Sequence, residues 1–207
     1  MDKTKNTEDK IVEAAKTVFI QKGMDGARMQ EIANEAGINK ALLHYYFRTK
    51  AKLFEKIFTL VFKDIFEVLQ MAVLKELSFE QFLEQFITEY IALLKSKPYI
   101  PQFVIHEINR NPERIIEQMK NTRFDKQQLF DVIEQAANDK LIRPIPPVHL
   151  ITNILALCLF PFVAKPIITG FALDGDKQKF KNYIDERPEQ VIAFVKNAVF
   201  LNPKNES

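Results

Sequence analysis

Two stretches of the 207-residue chain contain side chains whose types and spacing could do chemistry. His106, Glu107 and Arg110 follow the His-Glu-x-x-His order of a zinc-protease helix, except that Arg110 stands where the second histidine would be. The chain has three histidines, no Gly-x-Ser-x-Gly elbow, no phosphate-binding glycine loop and no Cys-x-x-Cys pair. We therefore expect no catalytic site, no metal site and no cofactor, and the chain is not predicted to be an enzyme.

The second stretch, residues 29–47, has the residue types of a helix-turn-helix, whose chemistry is recognition of the DNA major groove. Ala33 is small enough for a second helix to cross the first closely, and Gly37 suits a turn with positive φ. Asn39 is a good N-cap for the second helix, which is predicted to run to about Phe47. The residues predicted to face outward are Asn39, Lys40, Ala41, Leu42, His44 and Tyr45.

Positive charge is concentrated around this stretch, although the whole chain carries a formal net charge of only +2. Residues 38–56 contain five basic side chains and one acidic side chain, whereas the segments on either side are slightly acidic. A local excess of positive charge fits contact with DNA phosphates. Charge alone leaves open a solvated helix face with incidental lysines. The five basic residues are Lys40, Arg48, Lys50, Lys52 and Lys56.

The composition favours an all-α fold, because 5 Gly leave few turns for a many-stranded sheet and 18 Phe supply a heavily aromatic core. Cys158 is the only cysteine, and in an apolar helix an inert core thiol is favoured over a redox sensor. The longest uncharged apolar stretch, residues 150–164, is shorter than the ~20 residues that span a bilayer. No apolar signal follows the N-terminus. We expect a cytoplasmic protein without a membrane partner.

Apolar periodicity and Gly or Pro punctuation predict a series of helices. The first helix covers residues 11–19, with Thr7 as its N-cap and Gly23 as its stop. One long helix is predicted from Lys50 to about Lys75, since no Gly or Pro interrupts it. The other predicted helices cover residues 29–35, 40–47, 79–96, 102–110, 113–120, 124–139, 147–169 and 188–201.

A pattern of small, apolar and aromatic residues extends through the N-terminal quarter of the chain, at Ala14-Ala15, Phe19, Gly23, Ile32-Ala33, Ala36-Gly37-Ile38, Leu43, Tyr45, Phe47, Lys50 and Leu53. Through these positions, residues 11–54 resemble the DNA-binding domain of the TetR family of bacterial transcriptional regulators. The resemblance implies a three-helix helix-turn-helix DNA-binding domain over residues 1–56. A long helix would join it to a helical ligand-binding and dimerisation domain over residues 57–207.

The resemblance also implies that Lys40–Tyr46 is the recognition helix and that Lys50 is a phosphate anchor. Two departures leave roles open. Arg28 follows Ala27 where the family commonly has Thr, so it either takes over a phosphate contact or is a surface arginine. His44 and Tyr46 exchange the tyrosine and the histidine that are frequent in the family, so the kind of contact that each makes is open, and Tyr45 also suits packing beneath the helix. The residues expected to contact DNA are Arg28, Gln30, Asn39, Lys40, Ala41, Leu42, His44, Tyr45, Tyr46 and Lys50.

For residues 57–207 the resemblance implies a homodimer formed by the last two long helices, which are apolar over much of their circumference. The expected interface residues, with packing inside one chain as the alternative, are Ile154, Cys158, Val191, Phe194, Val195 and Val199. The many Phe residues, with a few polar groups nearby, also suit a cavity for a small apolar or amphipathic effector. The expected lining, with plain core as the alternative, is Phe62, Phe86, Tyr90, Phe103, His106 and Arg110.

The expected function is that of a dimeric repressor that binds a palindromic operator through Lys40–Tyr46 and is released by a ligand. Its expected partners are double-stranded DNA, a second copy of the chain and the small effector. A dimeric helical adaptor that has lost specific DNA binding is the alternative, and activation in place of repression is left open.

Overall fold

The computed structural model of the chain describes the backbone of residues 3–73, 77–121 and 125–201. Within those ranges, the side chains of residues 3–5 and 69–73 are outside the description. The predicted end of the long helix near Lys75 and the predicted helix start at Phe124 therefore fall outside the described residues.

The described part of the chain is built from α-helices, as the composition predicts, and its only β-type pairing is an isolated bridge between Ile142 and Phe200. The all-α expectation is confirmed. The helices are α1 Lys3–Gly26, α2 Met29–Glu35, α3 Lys40–Tyr46, α4 Lys50–Val73, α5 Phe79–Ser96, α6 Ile100–Arg110, α7 Pro112–Lys120, α8 Lys126–Asn138, α9 Pro147–Val163, α10 Lys165–Ile167 and α11 Lys177–Val199, with a π-helical turn at Ile168–Ala172 between the last two.

The chain folds as two compact units. The first contains residues 1–64 and 99–121, and the second contains residues 65–98 and 122–207, so that α4 contributes to both. The sequence-based boundary after residue 56 does not anticipate that α6 and α7 belong to the first unit. They join it because α6 packs against α1, far away in sequence.

An aromatic cluster forms the core of the first unit. The ring of Phe54 on α4 meets Phe19 of α1 edge to face at 5.1 Å and stacks on Phe103 of α6 at 5.3 Å. Phe58, one turn further along α4, lies 6.4 Å from Phe103, and all four rings are buried. Buried aromatic pairs contribute both area and edge-to-face geometry, so this cluster fixes α1 and α6 on α4.

The N-terminal helix differs from its prediction at both ends. It begins at Lys3, so Thr7 lies inside the helix and its predicted role as N-cap is wrong. At Gly23, where the helix is predicted to end, the backbone is kinked, with φ 65° and ψ 176°. The helix continues beyond this kink to Gly26. A side chain at Gly23 would be strained by this φ, and it would also meet the ring of His106.

Two further helices differ from their predictions at positions where the sequence contains prolines. The single helix predicted over residues 147–169 is divided in the structure. The first part, α9, ends at Val163, and α10 with the π-helical turn follows after a bend of 61°. Pro161 and Pro166 each remove a backbone donor around that bend. The last helix begins at Lys177 rather than at Pro188, because Asp176 caps it by accepting from the backbone N–H groups of Gln178 and Lys179.

Arg187 compensates for the proline inside α9. The carbonyl of Leu157 is the group that the missing N–H of Pro161 would have bonded. The guanidinium of Arg187, on α11, donates to that carbonyl from Nε at 3.3 Å and from a terminal nitrogen at 2.9 Å. The same group lies 5.7 Å from the ring centre of Tyr183. A side chain from α11 therefore completes the hydrogen bonding of α9.

Glu107 is a buried carboxylate of the first unit, and neither of its oxygens has a hydrogen-bond partner. Burial raises the pKa of this carboxyl group, while the positive charges of Arg114 and Arg110 act in the opposite direction. Arg110 bonds to Asp25 at 2.6 Å and lies 4.0 Å from a Glu107 oxygen, and Arg114 bonds to Glu55. Glu107 therefore has one long ion contact but no hydrogen bond to either of its oxygens.

We expect Glu107→Met to stabilise the protein by about 1–2 kcal/mol at pH 8, because it removes a buried charge that has only a long contact with Arg110 and no hydrogen bond. A carboxyl pKa that is higher in the folded than in the unfolded state destabilises the fold at high pH, and protonation relieves this at low pH. The advantage of the variant should therefore shrink toward about pH 5. Urea unfolding at both pH values tests this, with Glu117→Met, an exposed position on α7, as control. A loss of stability at pH 8 would mean that the contact with Arg110 outweighs the cost of burying the carboxylate.

No single described helix is long and apolar enough to cross a membrane. The bent pair formed by Pro147–Val163 and Lys165–Ala172 meets the length and composition requirement only when its two parts are taken together.

Candidate nucleic-acid interface

Helices α2 and α3 are joined by a tight turn that local residues enforce. Gly37 adopts φ 65°, the left-handed conformation predicted for it. The N–H of Ile38 donates to the carbonyl of Ala33 at 3.0 Å, which closes the end of α2. Asn39 then caps α3, since its side-chain oxygen accepts from the N–H of Leu42 at 2.8 Å. The turn predicted from Gly37 and Asn39 is confirmed.

One face of α3 is directed away from the core. Leu43 is fully buried and anchors the helix, while the expected DNA-contacting residues around it are exposed or, for Tyr46, half-buried. Tyr45 is 77% exposed and touches Tyr46 edge to face at 5.4 Å, so it does not pack beneath the helix. The exposed residues are Asn39, Lys40, Ala41, Leu42, His44 and Tyr45.

His44 is held by a backbone group. Its Nδ1 lies 3.2 Å from the carbonyl oxygen of Arg48, in the segment that links α3 to α4. The imidazole is otherwise at an exposed position. This bond restricts the orientation of the ring relative to α3.

Lys50 makes contacts that the sequence does not reveal. Its ammonium group donates to the carbonyls of Asp25 at 3.1 Å and Ala27 at 3.0 Å, at the end of α1. Cations bind favourably at helix C-termini, where carbonyls lack intrahelical donors. In this structure Lys50 therefore fastens the end of α1 to the start of α4, and a DNA contact by the same residue stays a prediction.

Arg28 and Gln30 lie at the start of α2. The backbone N–H of Arg28 donates to the Glu31 carboxylate at 3.3 Å, which is one half of a capping box. A hydrogen bond from Lys22 to Glu31 at 2.9 Å lowers the pKa of Glu31. The Arg28 side chain is exposed, and Gln30 bonds to Asn34 at 2.9 Å. Both residues lie at the surface of the unit that carries α3.

The residues expected to line an effector cavity are divided between the two units. Phe86 and Tyr90 belong to the second unit, and the other four belong to the first. In the first unit Phe103 packs in the aromatic cluster and Arg110 bonds to Asp25. The four residues of the first unit are Phe62, Phe103, His106 and Arg110.

The second unit contains its own apolar cleft, between α5, α8 and α9. Its volume is about 20 Å³, which is room for about one water molecule. Of the residues expected to line an effector cavity, only Phe86 lines this cleft, and Ile154, which was expected in the dimer interface, lines it as well. The lining residues are Phe82, Leu83, Phe86, Leu129, Ile133, Leu150, Ile151 and Ile154.

Most of the expected interface residues are covered by their own chain. Phe194 is 63% exposed, whereas the other five have little surface to offer a second copy. Burial raises the pKa of the Cys158 thiol to about 12, which fits an inert core thiol. The five buried residues are Ile154, Cys158, Val191, Val195 and Val199. The described residues contain no cluster of His, Cys, Asp and Glu that could hold a metal ion.

An exposed, capped helix that follows a tight turn, with Lys40, Arg48 and Lys52 at exposed positions, is the arrangement of a helix-turn-helix DNA-binding protein. Residues 11–57 match the model of the bacterial regulatory proteins of the tetR family. Residues 11–57 therefore have the sequence of the tetR-family N-terminal domain, and the curated relatives of the chain are helix-turn-helix transcriptional regulators.

Two curated relatives are regulators of the same kind. The "Probable HTH-type transcriptional regulator YttP" of Bacillus subtilis is 26% identical over 186 residues, which cover 87% of this chain and 90% of that protein. The "Biofilm operon icaADBC HTH-type negative transcriptional regulator IcaR" of Staphylococcus aureus is 31% identical over 105 residues, which cover 51% of this chain and 55% of that protein. The chain therefore spans about half the length of IcaR.

Solved structures share the fold. SCO4942 of Streptomyces coelicolor superposes with a TM-score of 0.66 at 18% identity, covering 92% of this chain and 97% of that chain. HlyIIR, a hemolysin II transcriptional regulator, superposes with a TM-score of 0.60 at 24% identity, covering 92% of this chain and 97% of that chain. The expected architecture, a helix-turn-helix domain followed by a helical domain, is confirmed.

Proposed function

We propose that this TetR-family regulator acts as a homodimer whose two α3 helices bind the half-sites of a palindromic operator, and that it represses transcription until a ligand releases it. The observation that carries the proposal is the capped α3 helix, which presents Lys40, His44 and Tyr45 at the surface. IcaR, the relative matched over half of this chain, is named as a negative regulator, which supports the repressor role.

Dimerisation is assigned to a surface of the second unit that we call the α9–α11 face, made of Val148, Phe160 and Val163 on α9 and Phe194 on α11. These two helices pack against each other, and each exposes large apolar side chains. Phe160 is 62% exposed and Phe194 is 63% exposed, which is costly for a surface that stays in water. A second copy covers such a face by two-fold symmetry, because the same patch then meets itself.

The ligand is assigned to the cleft between α5, α8 and α9. Its lining is entirely apolar, so a small apolar or amphipathic molecule is the class that fits. Since the cleft has room for about one water molecule, entry requires side chains to move apart. Because α4 contributes to both units, a ligand that displaces it would also shift α3 and the spacing of the two half-site contacts.

Selection of bound duplexes from a random DNA pool tests the function. We expect an inverted repeat, and we expect Lys40→Ala to weaken binding and to lower its salt dependence by about one counterion. Lys126→Ala, an exposed lysine of α8, is the matched control and should leave binding unchanged. The selected duplex then serves to screen apolar and amphipathic compounds for release. A folded dimer that enriches no sequence would favour the adaptor alternative.

A further inference from the structure

The bond between His44 and the carbonyl of Arg48 decides which nitrogen of the imidazole remains for DNA. A carbonyl oxygen only accepts hydrogen bonds, so the Nδ1 atom at 3.2 Å must carry the proton. The remaining nitrogen, Nε2, is then an acceptor in the neutral ring. The exposed position of His44 on α3 leaves this acceptor available to a bound duplex.

An acceptor has few partners on DNA. Phosphate oxygens only accept, and in the major groove guanine offers only its N7 and O6 acceptors. The hydrogen-bond donors there are the exocyclic amino groups of adenine N6 and cytosine N4. A neutral His44 fixed in this way is therefore suited to contact a base edge and is not suited to contact the backbone.

We propose that His44 determines specificity, and that its Nε2 accepts a hydrogen bond from the amino group of an adenine or a cytosine in each operator half-site. The inference rests on the proposed function, since it concerns the same helix and the same DNA. The inference adds one recognised base in each half-site to the proposed function. From the sequence, only the place of His44 on the recognition helix was expected, and the kind of its contact was left open.

The amino group can be removed from the DNA while the protein stays intact. In the selected operator, each adenine is replaced in turn by purine, which lacks the N6 amino group, and each cytosine by 2-pyrimidinone, which lacks the N4 amino group. Binding is measured at about pH 8. At one position per half-site we expect the affinity of the wild-type protein to fall about 5-fold for each half-site altered, the value of one hydrogen bond.

Variants of His44 show whether the lost contact belongs to this residue. His44→Phe cannot accept the hydrogen bond, so it should bind the altered and unaltered duplexes equally at that position. If weaker base pairing in the altered duplex were the cause of the loss, this variant would lose affinity as well. His44→Gln places a carboxamide oxygen near the position of Nε2 and should keep part of the discrimination. His44→Asn reaches only as far as Nδ1 and should lose it. Because the side chain is exposed, these variants are expected to fold, and thermal unfolding checks this.

Two results would overturn the inference while leaving the proposed function intact. One is equal sensitivity to amino-group removal in the wild type and in His44→Phe at every position. The other is a uniform loss of affinity in His44→Phe across all sequences, with a weaker salt dependence, because that pattern marks a phosphate contact. If a folded protein enriches no sequence at all, the proposed function itself fails, and the inference fails with it.

Discussion

The double substitution Phe160→Glu and Phe194→Glu is expected to leave the chain monomeric and to lower its affinity for a palindromic operator by on the order of 100-fold or more. Each new carboxylate would have to be buried against a second copy of the α9–α11 face, which costs several kcal/mol per unpaired charge. A monomer binds one half-site at a time and loses the gain that comes from linking two binding events. Light scattering measures the mass, and a binding titration on the selected operator measures the affinity.

The matched control for this experiment is Ile116→Glu. Ile116 is 50% exposed on α7 of the first unit, so the same change of chemistry is made outside the α9–α11 face. We expect this variant to keep the mass and the affinity of the wild type. If the Phe160 and Phe194 variant remains dimeric, another surface forms the dimer and the assignment of this face is wrong.

Arg187→Met is expected to destabilise the second unit by about 2 kcal/mol, because it leaves the half-buried carbonyl of Leu157 without a donor. Methionine keeps the apolar stem of the side chain, so the loss reports mainly the two hydrogen bonds. The free energy of unfolding in urea is the measurement.

Pro161→Ala provides the decisive comparison. Alanine restores the backbone N–H that can bond to Leu157 within α9, so Arg187 should become dispensable. In the Pro161→Ala background we expect Arg187→Met to cost less than about 1 kcal/mol, which makes the two substitutions strongly non-additive. Additive effects would show that Arg187 stabilises the unit through other contacts, such as its position near Tyr183.

The sequence predicts best where structure depends on neighbouring residues. Gly37 and Asn39 each have one local role, a positive φ and an N-cap, and both are found as predicted. Pro188 shows the limit of such rules, because a proline usually marks a helix boundary but α11 begins eleven residues earlier at the cap of Asp176. A strong cap and a buried face at Phe180 and Ile184 outweigh one missing hydrogen bond.

Contacts between distant segments are what the sequence could not supply. Val191, Phe194 and Val195 all read as one apolar stripe, yet two of them are buried and Phe194 is exposed. Periodicity shows that a helix has an apolar side, but it does not show whether that side meets the same chain or a second copy. The contact of Lys50 with the end of α1 could not be predicted from the sequence either, because its partners are backbone carbonyls, which every residue carries.

The thiol of Cys158 has a practical consequence. It is the only cysteine in the chain, it is fully buried, and its raised pKa keeps it protonated at neutral pH. Maleimide reagents attack the thiolate of accessible cysteines, so the native residue should stay silent during labelling. A cysteine introduced at an exposed position of α2 would then carry a fluorophore or a spin label while Cys158 stays in place. In the proposed dimer, the distance between two such labels would report how far apart the two helix-turn-helix motifs stand, before and after addition of a candidate ligand.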